Sequence, residues 1–276
     1  MQLDRAGSVA APGGYLVNRG PSVAIRILVR HALGEQAFWV CVAIFIIVAV
    51  MAVREPYFAS YANFYNVSRN FSFIGITAIG MTAVVVAGGI DLSIGSVMGL
   101  VGVCSALTLQ ANYPWYAAVA VGFLAGGLAG SINGVLIAYV GLPPFVVTLG
   151  MLSAARAAAV ILSGERVVSD FGVDGATFKQ FGATAFFGLS SPVWFAILLV
   201  IVLGVALRWT PWGRHVLAIG GNERAAILTG VPVKRIKMQT YIFCALTAAL
   251  AAMLTIGWTG SAVNSLGTGY ELRAIA

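Results

Sequence analysis

Residues 92–155 read LSIGSVMGLVGVCSALTLQANYPWYAAVAVGFLAGGLAGSINGVLIAYVGLPPFVVTLGMLSAA, 64 residues between Asp91 and Arg156 without a charged side chain. An ionised group at the centre of a membrane helix costs roughly 2.5–3.5 kcal/mol on insertion scales. A bilayer therefore selects for such a run, and a soluble domain has no use for it. The run holds three spans of about 20 residues each. Its interruptions, Asn112-Tyr113-Pro114 and Gly141-Leu142-Pro143-Pro144, are turn chemistry rather than charge.

Working outward, further charge-free runs cover 36–53, 70–90, 180–207 and 238–270. Together they predict an all-α polytopic membrane protein with about seven transmembrane helices. These fall near 36–53, 68–89, 93–110, 116–139, 144–163, 192–207 and 238–258. Hydrophobic residues make up 60% and charged residues 9%, far below the ~25% charged residues of a soluble domain. The formal net charge of +7 does not indicate a nucleic-acid partner, because the positive residues sit in short segments beside apolar spans. Cys41, Cys104 and Cys244 each lie inside an apolar span and read as packing residues, without disulfide or metal spacing. Residues 1–35, with Gly and Pro clusters, read as a flexible tail rather than a cleaved signal.

Lys and Arg in short loops set orientation. The segment 1–35 carries Arg5, Arg19, Arg26 and Arg30, and the loop 208–237 carries Arg208, Arg214, Arg224, Lys234, Arg235 and Lys237. The loops 54–70 and 164–191 carry two each. The expectation is a cytoplasmic N-terminal tail, 1–35, followed by a transmembrane domain, 36–276. In the fourth span Gly122, Gly126, Gly130 and Gly134 recur every fourth residue, a flat groove that lets another backbone approach. Its partner is either a helix of the same subunit or a second subunit.

Gly88-Gly89-Ile90-Asp91-Leu92-Ser93-Ile94-Gly95-Ser96 breaks the pattern. Two glycines end a helix, and Asp91 or Ser93 can accept bonds from the free amides of the next one. Non-helical backbone at membrane depth must line a cavity or be covered by protein. Gly88, Gly89, Asp91, Ser93 and Ser96 are therefore candidates for a broken or re-entrant region on a translocation path. Asp91 reads as a helix cap at the cytoplasmic edge, a contact for a polar solute, or a proton relay. Arg156, about 18 Å along the helix from Pro144 at ~1.5 Å per residue, either snorkels outward or pairs with a buried acceptor.

The loop 208–237 contains a punctuated short helix. Asn222 is a natural N-cap, Glu223 suits the positive helix start, Gly230 is a C′ stop and Pro232 prevents continuation. Ala225, Ala226, Ile227 and Leu228 give it an apolar face that a partner could cover.

"GGIDLSIGS", preceded by "ITAIGMTAVVVA", resembles the membrane permease subunit of bacterial ABC importers for monosaccharides, the ribose/xylose type. "GLPPFVVTLGM" (Gly141–Met151) and "GTGYELRAIA" (Gly267–Ala276) resemble the same family, and so does "GRHVLAIGGNERAAILTG" (Gly213–Gly230). The resemblance covers about residues 65–276. It implies that the last of these segments is a coupling helix docking on an ATPase, with Gly213, Arg214, Asn222, Glu223, Ala225, Ala226 and Gly230 in that role. It also implies a homodimer in the inner membrane, a periplasmic sugar-binding protein, and a monosaccharide such as a pentose as cargo. In that family the chain continues through further membrane segments. The expectation is accordingly that the 276-residue chain is C-terminally truncated and transport-deficient alone. No cofactor or metal is implied, and the chain is a transport subunit rather than an enzyme. It has no Gly-x-x-x-x-Gly-Lys-Ser/Thr loop, His31 and His215 lie far apart, and no nucleophile–base pair is evident. Two rival readings are a permease for another solute, such as a branched-chain amino acid, and a proton-coupled secondary transporter using Asp91.

Overall fold

The computed structural model describes residues 36–276, with side chains from Phe38 onward. The tail expected over 1–35 lies outside the described residues. Residues 65–276 form one compact unit, and the described residues 36–64 belong to another.

All seven expected spans are helices: α1 (Gln36–Arg54), α2 (Tyr61–Val86), α3 (Ile94–Gln110), α4 (Trp115–Val135), α5 (Pro144–Ser163), and, after an α6 outside the spans, α7 (Ser191–Trp209) and α10 (Val233–Thr259). The short helix α6 is Gly175–Ala183; α8 is Pro211–Gly221, α9 is Glu223–Leu228 and α11 is Tyr270–Ile275. A two-residue hairpin, β1 (Ala185–Phe186) with β2 (Leu189–Ser190), pairs Ala185 with Ser190 and Phe186 with Leu189. The chain is thus an all-α polytopic membrane protein, with almost no sheet among the described residues. Five of the helices are long and apolar enough to cross a bilayer by themselves, α4 doing so with the π-helical turn Leu136–Val140 added. The apolar helices Phe38–Arg54 and Ile94–Gln110 are shorter. At 17 residues, α3 spans about 26 Å, less than the ~30 Å hydrocarbon core. Of the non-helical stretch before it, Asp91 and Ser93 are covered by protein, whereas Gly88 and Ile90 are exposed.

Two boundaries differ from expectation. The second span begins at Tyr61, with the polar turns around Asn63, Asn66 and Ser68 helical, and the last at Val233, because Lys234, Arg235 and Lys237 occupy helical turns that a charge-free criterion cuts away. Helices α6 and α8 fall in segments that sequence reading treats only as loops.

Within the 65–276 unit α10 is the central post. Of its apolar window 67% is buried, against 17% for α7, whose Val200, Ile201, Val202 and Val205 point outward as lipid-facing residues do. In lipid, close packing rather than the hydrophobic effect joins helices, and here glycine provides it. A Cβ at Gly126 would lie 2.9 Å from the Ala249 Cβ. One at Gly130 would lie 2.8 Å from the Tyr241 carbonyl oxygen, and one at Gly134 2.9 Å from the Met238 Cα. The groove of α4 is therefore filled by α10 of the same chain. Gly80 brings α2 onto α10 in the same way, 3.1 Å from the Cys244 Cα.

Loops gather at the two ends of this unit. At one end Asp174 accepts from the Trp115 amide at 3.0 Å and Asn112 from the Val173 amide at 3.3 Å, while Val168 and Ala262 form a two-way bridge. At the other end α8 and α9 pack beneath α2 and α10.

Candidate translocation path and coupling loop

The break after α2 starts where Gly88 turns the chain with φ +78°, a left-handed conformation that suits glycine. Asp91 then folds back. Its Oδ1 accepts from the Ser93 amide at 2.9 Å and from the Ser93 hydroxyl at 2.6 Å. Neither Asp91 nor Ser93 caps the free amides inside α3; Ser93 occupies the N-cap position without a side-chain cap bond. The expected cap is instead an Asx turn one step earlier. The Asn133 amide of α4 donates to the Ser93 hydroxyl oxygen at 3.0 Å, and the Tyr241 hydroxyl of α10 donates to the Ile90 carbonyl at 3.3 Å. Asp91, Ser93 and Asn133 are each 1% exposed and Ser96 is 2%. Gly89 lies under the same tyrosine, since a Cβ there would sit 2.5 Å from its hydroxyl oxygen.

Of the five candidate residues, Asp91 and Ser93 are bonded to each other, Gly89 lies under Tyr241, Ser96 is buried and Gly88 is exposed; Asn133 and Tyr241 are two anchors that sequence reading missed. Asn133 sits inside the longest charge-free run, and a buried amide in a membrane span is the signal that marks it. Tyr241 carries no such signal, because an aromatic in a span reads as packing. The Asn133 Oδ1 oxygen is buried without a partner.

A second non-helical stretch, 260–269, runs back along α3. Arg156 Nη1 donates to the half-buried Asn264 and Leu266 carbonyls, so the arginine pairs with backbone acceptors of its own chain rather than snorkelling. The segment presses on α3 at Gly99, where a Cβ would lie 2.8 Å from the Asn264 carbonyl oxygen.

In the loop 208–237, Thr210 caps α8 by accepting from the Gly213 amide at 3.2 Å. Gly213 is buried against Leu207, with no room for a side chain, and Arg214 is exposed. Asn222 caps α9 by accepting from the Ala225 amide at 3.0 Å, and Gly230 follows it at φ +83°, as the punctuation predicts. Glu223 pairs with Lys237 at the start of α10, 2.7 Å away. The expected apolar face divides in two. Ala226 is 3% exposed and packs with Ala87, Val216, Ile219, Val233 and Ile236 in a small separate core. Ile227 and Leu228 are 56% and 88% exposed. Ala225, also exposed, belongs with them, so Ala226 anchors the helix and faces no partner. A cleft of about 490 Å³ lies between α9 and the turn before α5, lined by Gly141, Pro144, Ile227 and the Glu223–Lys237 pair, among others. Among the described residues no group of three or more His, Cys, Asp or Glu is placed to hold a metal.

This geometry combines a buried polar break between membrane helices with a capped helix presenting bare apolar residues at the same end. Named relatives share the sequence. The chain is 33% identical over 236 residues to the ribose import permease protein RbsC of Escherichia coli K12, covering 85% of this chain and 74% of that one. It is 33% identical over 233 residues to RbsC of Bacillus subtilis 168, covering 84% and 72%. It is 36% identical over 211 residues to the autoinducer 2 import system permease protein LsrD of Yersinia pseudotuberculosis YPIII, covering 75% and 63%. No solved structure matches the chain. A polytopic helical bundle and these relatives agree with a match over residues 63–276, by which the chain belongs to the family described as branched-chain amino acid transport system / permease component.

Proposed function

We propose that this permease is the membrane subunit of an ATP-driven importer for a monosaccharide, a pentose or a sugar of similar size. The relatives' printed cargoes, ribose and autoinducer 2, support a small polyhydroxylated solute over the amino acids of the family description. The observation that carries the mechanism is α9. It is a capped helix fixed to the chain's own core through Ala226, yet it presents Ile227 and Leu228 unpaired. Exposed apolar residues on a rigid, polar-rimmed element suit a docking surface.

In this reading residues 36–276 are the permease domain, and 1–35 and 208–237 face the cytoplasm, where the basic residues concentrate. A separate ATPase subunit docks on α9, with Gly213, Arg214, Asn222, Glu223, Ala225 and Gly230 shaping or flanking the dock. A periplasmic sugar-binding protein delivers solute at the far end of an inner-membrane homodimer. ATP binding closes the ATPase pair, the docked helices follow as rigid bodies, and the bundle opens to one side at a time. The break Gly88–Ser96 lies on the translocation path and the subunit does no covalent chemistry.

Two measurements test this. Leu228→Asp places a charge in the docking surface without touching the Ala226 core. The variant should insert normally and lose co-purification of the ATPase; undiminished co-purification overturns the assignment of α9. A thermal-shift screen of the partner binding protein should respond to a pentose or related sugar. A response to leucine or valine alone would replace the cargo by a branched-chain amino acid.

A further inference from the structure

The coupling loop touches the membrane bundle at the end of α2. A Cβ built on Gly220, in the last turn of α8, would overlap the Val86 carbonyl oxygen and lie 3.0 Å from the Val86 carbonyl carbon. The neighbouring Ala87 is 4% exposed and belongs to the small core that holds α8, α9 and the start of α10. Val84, three residues earlier, belongs to the main core of the bundle. Hence the last turn of α2 spans both cores. The next residue is Gly88, exposed, with a left-handed backbone and nothing within 4 Å of a would-be Cβ. Beyond it come Asp91, Ser93 and the bond to Asn133. On its other side the loop is fixed to α10, a single 27-residue helix, through Val233, Ile236 and the Lys237–Glu223 pair.

We propose that the Gly220–Val86 contact is the joint through which the coupling loop drives the break, with Gly88 as its hinge. Gly220 is then a positioning residue for transport, resting on the importer reading above. The physical logic is a lever. The loop and α10 move together, because α10 runs unbroken from one core into the other. The end of α2 is pushed at its backbone, where a glycine lets two main chains meet with no compressible side chain between them. The resulting rotation is absorbed at the first residue with both free space and a permissive φ, which is Gly88. The end of α2 then shifts against Asp91 and Ser93, which stay bonded to Asn133 on α4.

Gly221 supplies the matched control. It adjoins Gly220 in the same turn, and a Cβ there meets nothing within 4 Å. The full chain is reconstituted with its ATPase and binding protein in proteoliposomes, and solute uptake is counted per ATP hydrolysed. Wild-type coupling establishes the importer reading; without ATP-driven uptake by the wild type, that reading itself fails. Gly220→Ala should keep ATPase association and hydrolysis while solute moved per ATP falls by about tenfold, equivalent to roughly 1.4 kcal/mol. Gly221→Ala should match the wild type. Equal ratios for Gly220→Ala and wild type overturn the proposal, as do equal losses in both variants. Should Gly220→Ala fail to insert, a second test stands in a cysteine-free background. Ala87→Cys with Val216→Cys, joined by a short thiol cross-linker, should retain uptake, because a joint that moves as one piece tolerates a tether. Abolished uptake on cross-linking shows that the contact opens during the cycle and overturns it.

Discussion

Asp91 shows how one side chain organises a break in a membrane helix. Its Oδ1 oxygen satisfies both donors of Ser93, and Ser93 in turn holds Asn133. The acceptor atom, not the charge, is what this geometry uses. Asp91→Asn keeps an acceptor oxygen and is expected to retain most transport. Asp91→Leu leaves two buried donors unpaired at ~1–3 kcal/mol each and is expected to lose most of it. Equal loss in both, measured as uptake at matched expression, would show that the negative charge itself is required. The charge, the serine and the glycine pair were legible in the chain. Their anchors on α4 and α10 were not, because contacts across 40 and more residues are set by packing that a linear pattern does not encode.

At the scale of elements, the glycine stripe of α4 decides how tightly the bundle closes. Gly130→Leu sets a side chain against the α10 backbone, and overpacking of this kind costs roughly 1–3 kcal/mol or more. Gly150→Ala on α5, where nothing lies within 4 Å, is expected to change stability by no more than about 0.5 kcal/mol. Thermal unfolding in detergent compares the two, and equal midpoints would refute the intrachain packing of α4 on α10. The stripe's four-residue spacing was plain in the sequence, although spacing alone fits a neighbouring subunit equally well. The seven helices were also legible, because a bilayer forbids charge over about 20 residues. Helices α6 and α8 were not, since each is short, carries a basic residue (Lys179, Arg214) and has no long apolar run. Of α9 the caps were readable and the inward turn of Ala226 was not. That turn depends on packing against Val216 of the preceding helix and Ala87, far away in sequence. Gly230→Trp puts a bulky residue at φ +83°, where only glycine is unstrained. It should leave the protein inserted but lower ATP-driven uptake and ATPase association; normal uptake would remove α9 from the coupling role.

For the molecule as a whole, the importer proposal makes one loop cluster of the unit its solute end and the other its energy end. The proposed cytoplasmic placement of the α8–α9 end rests on Arg208, Arg214, Arg224, Lys234, Arg235 and Lys237, and labelling tests it. A single cysteine at Leu228 should react with an impermeant maleimide only after the cytoplasmic face is exposed, whereas one at Phe187, exposed at the hairpin tip, should react in intact spheroplasts. The reverse pattern would invert the topology. The central claim is that ATP, hydrolysed on a partner docked at α9, drives solute through this bundle. Sugar uptake into proteoliposomes holding the full chain and its ATPase, with binding protein outside and ATP inside, measures it directly. Uptake is expected to require ATP, the ATPase and the binding protein, and to survive a protonophore. Uptake that proceeds without the ATPase and collapses with the protonophore would contradict it and make Asp91 a proton carrier.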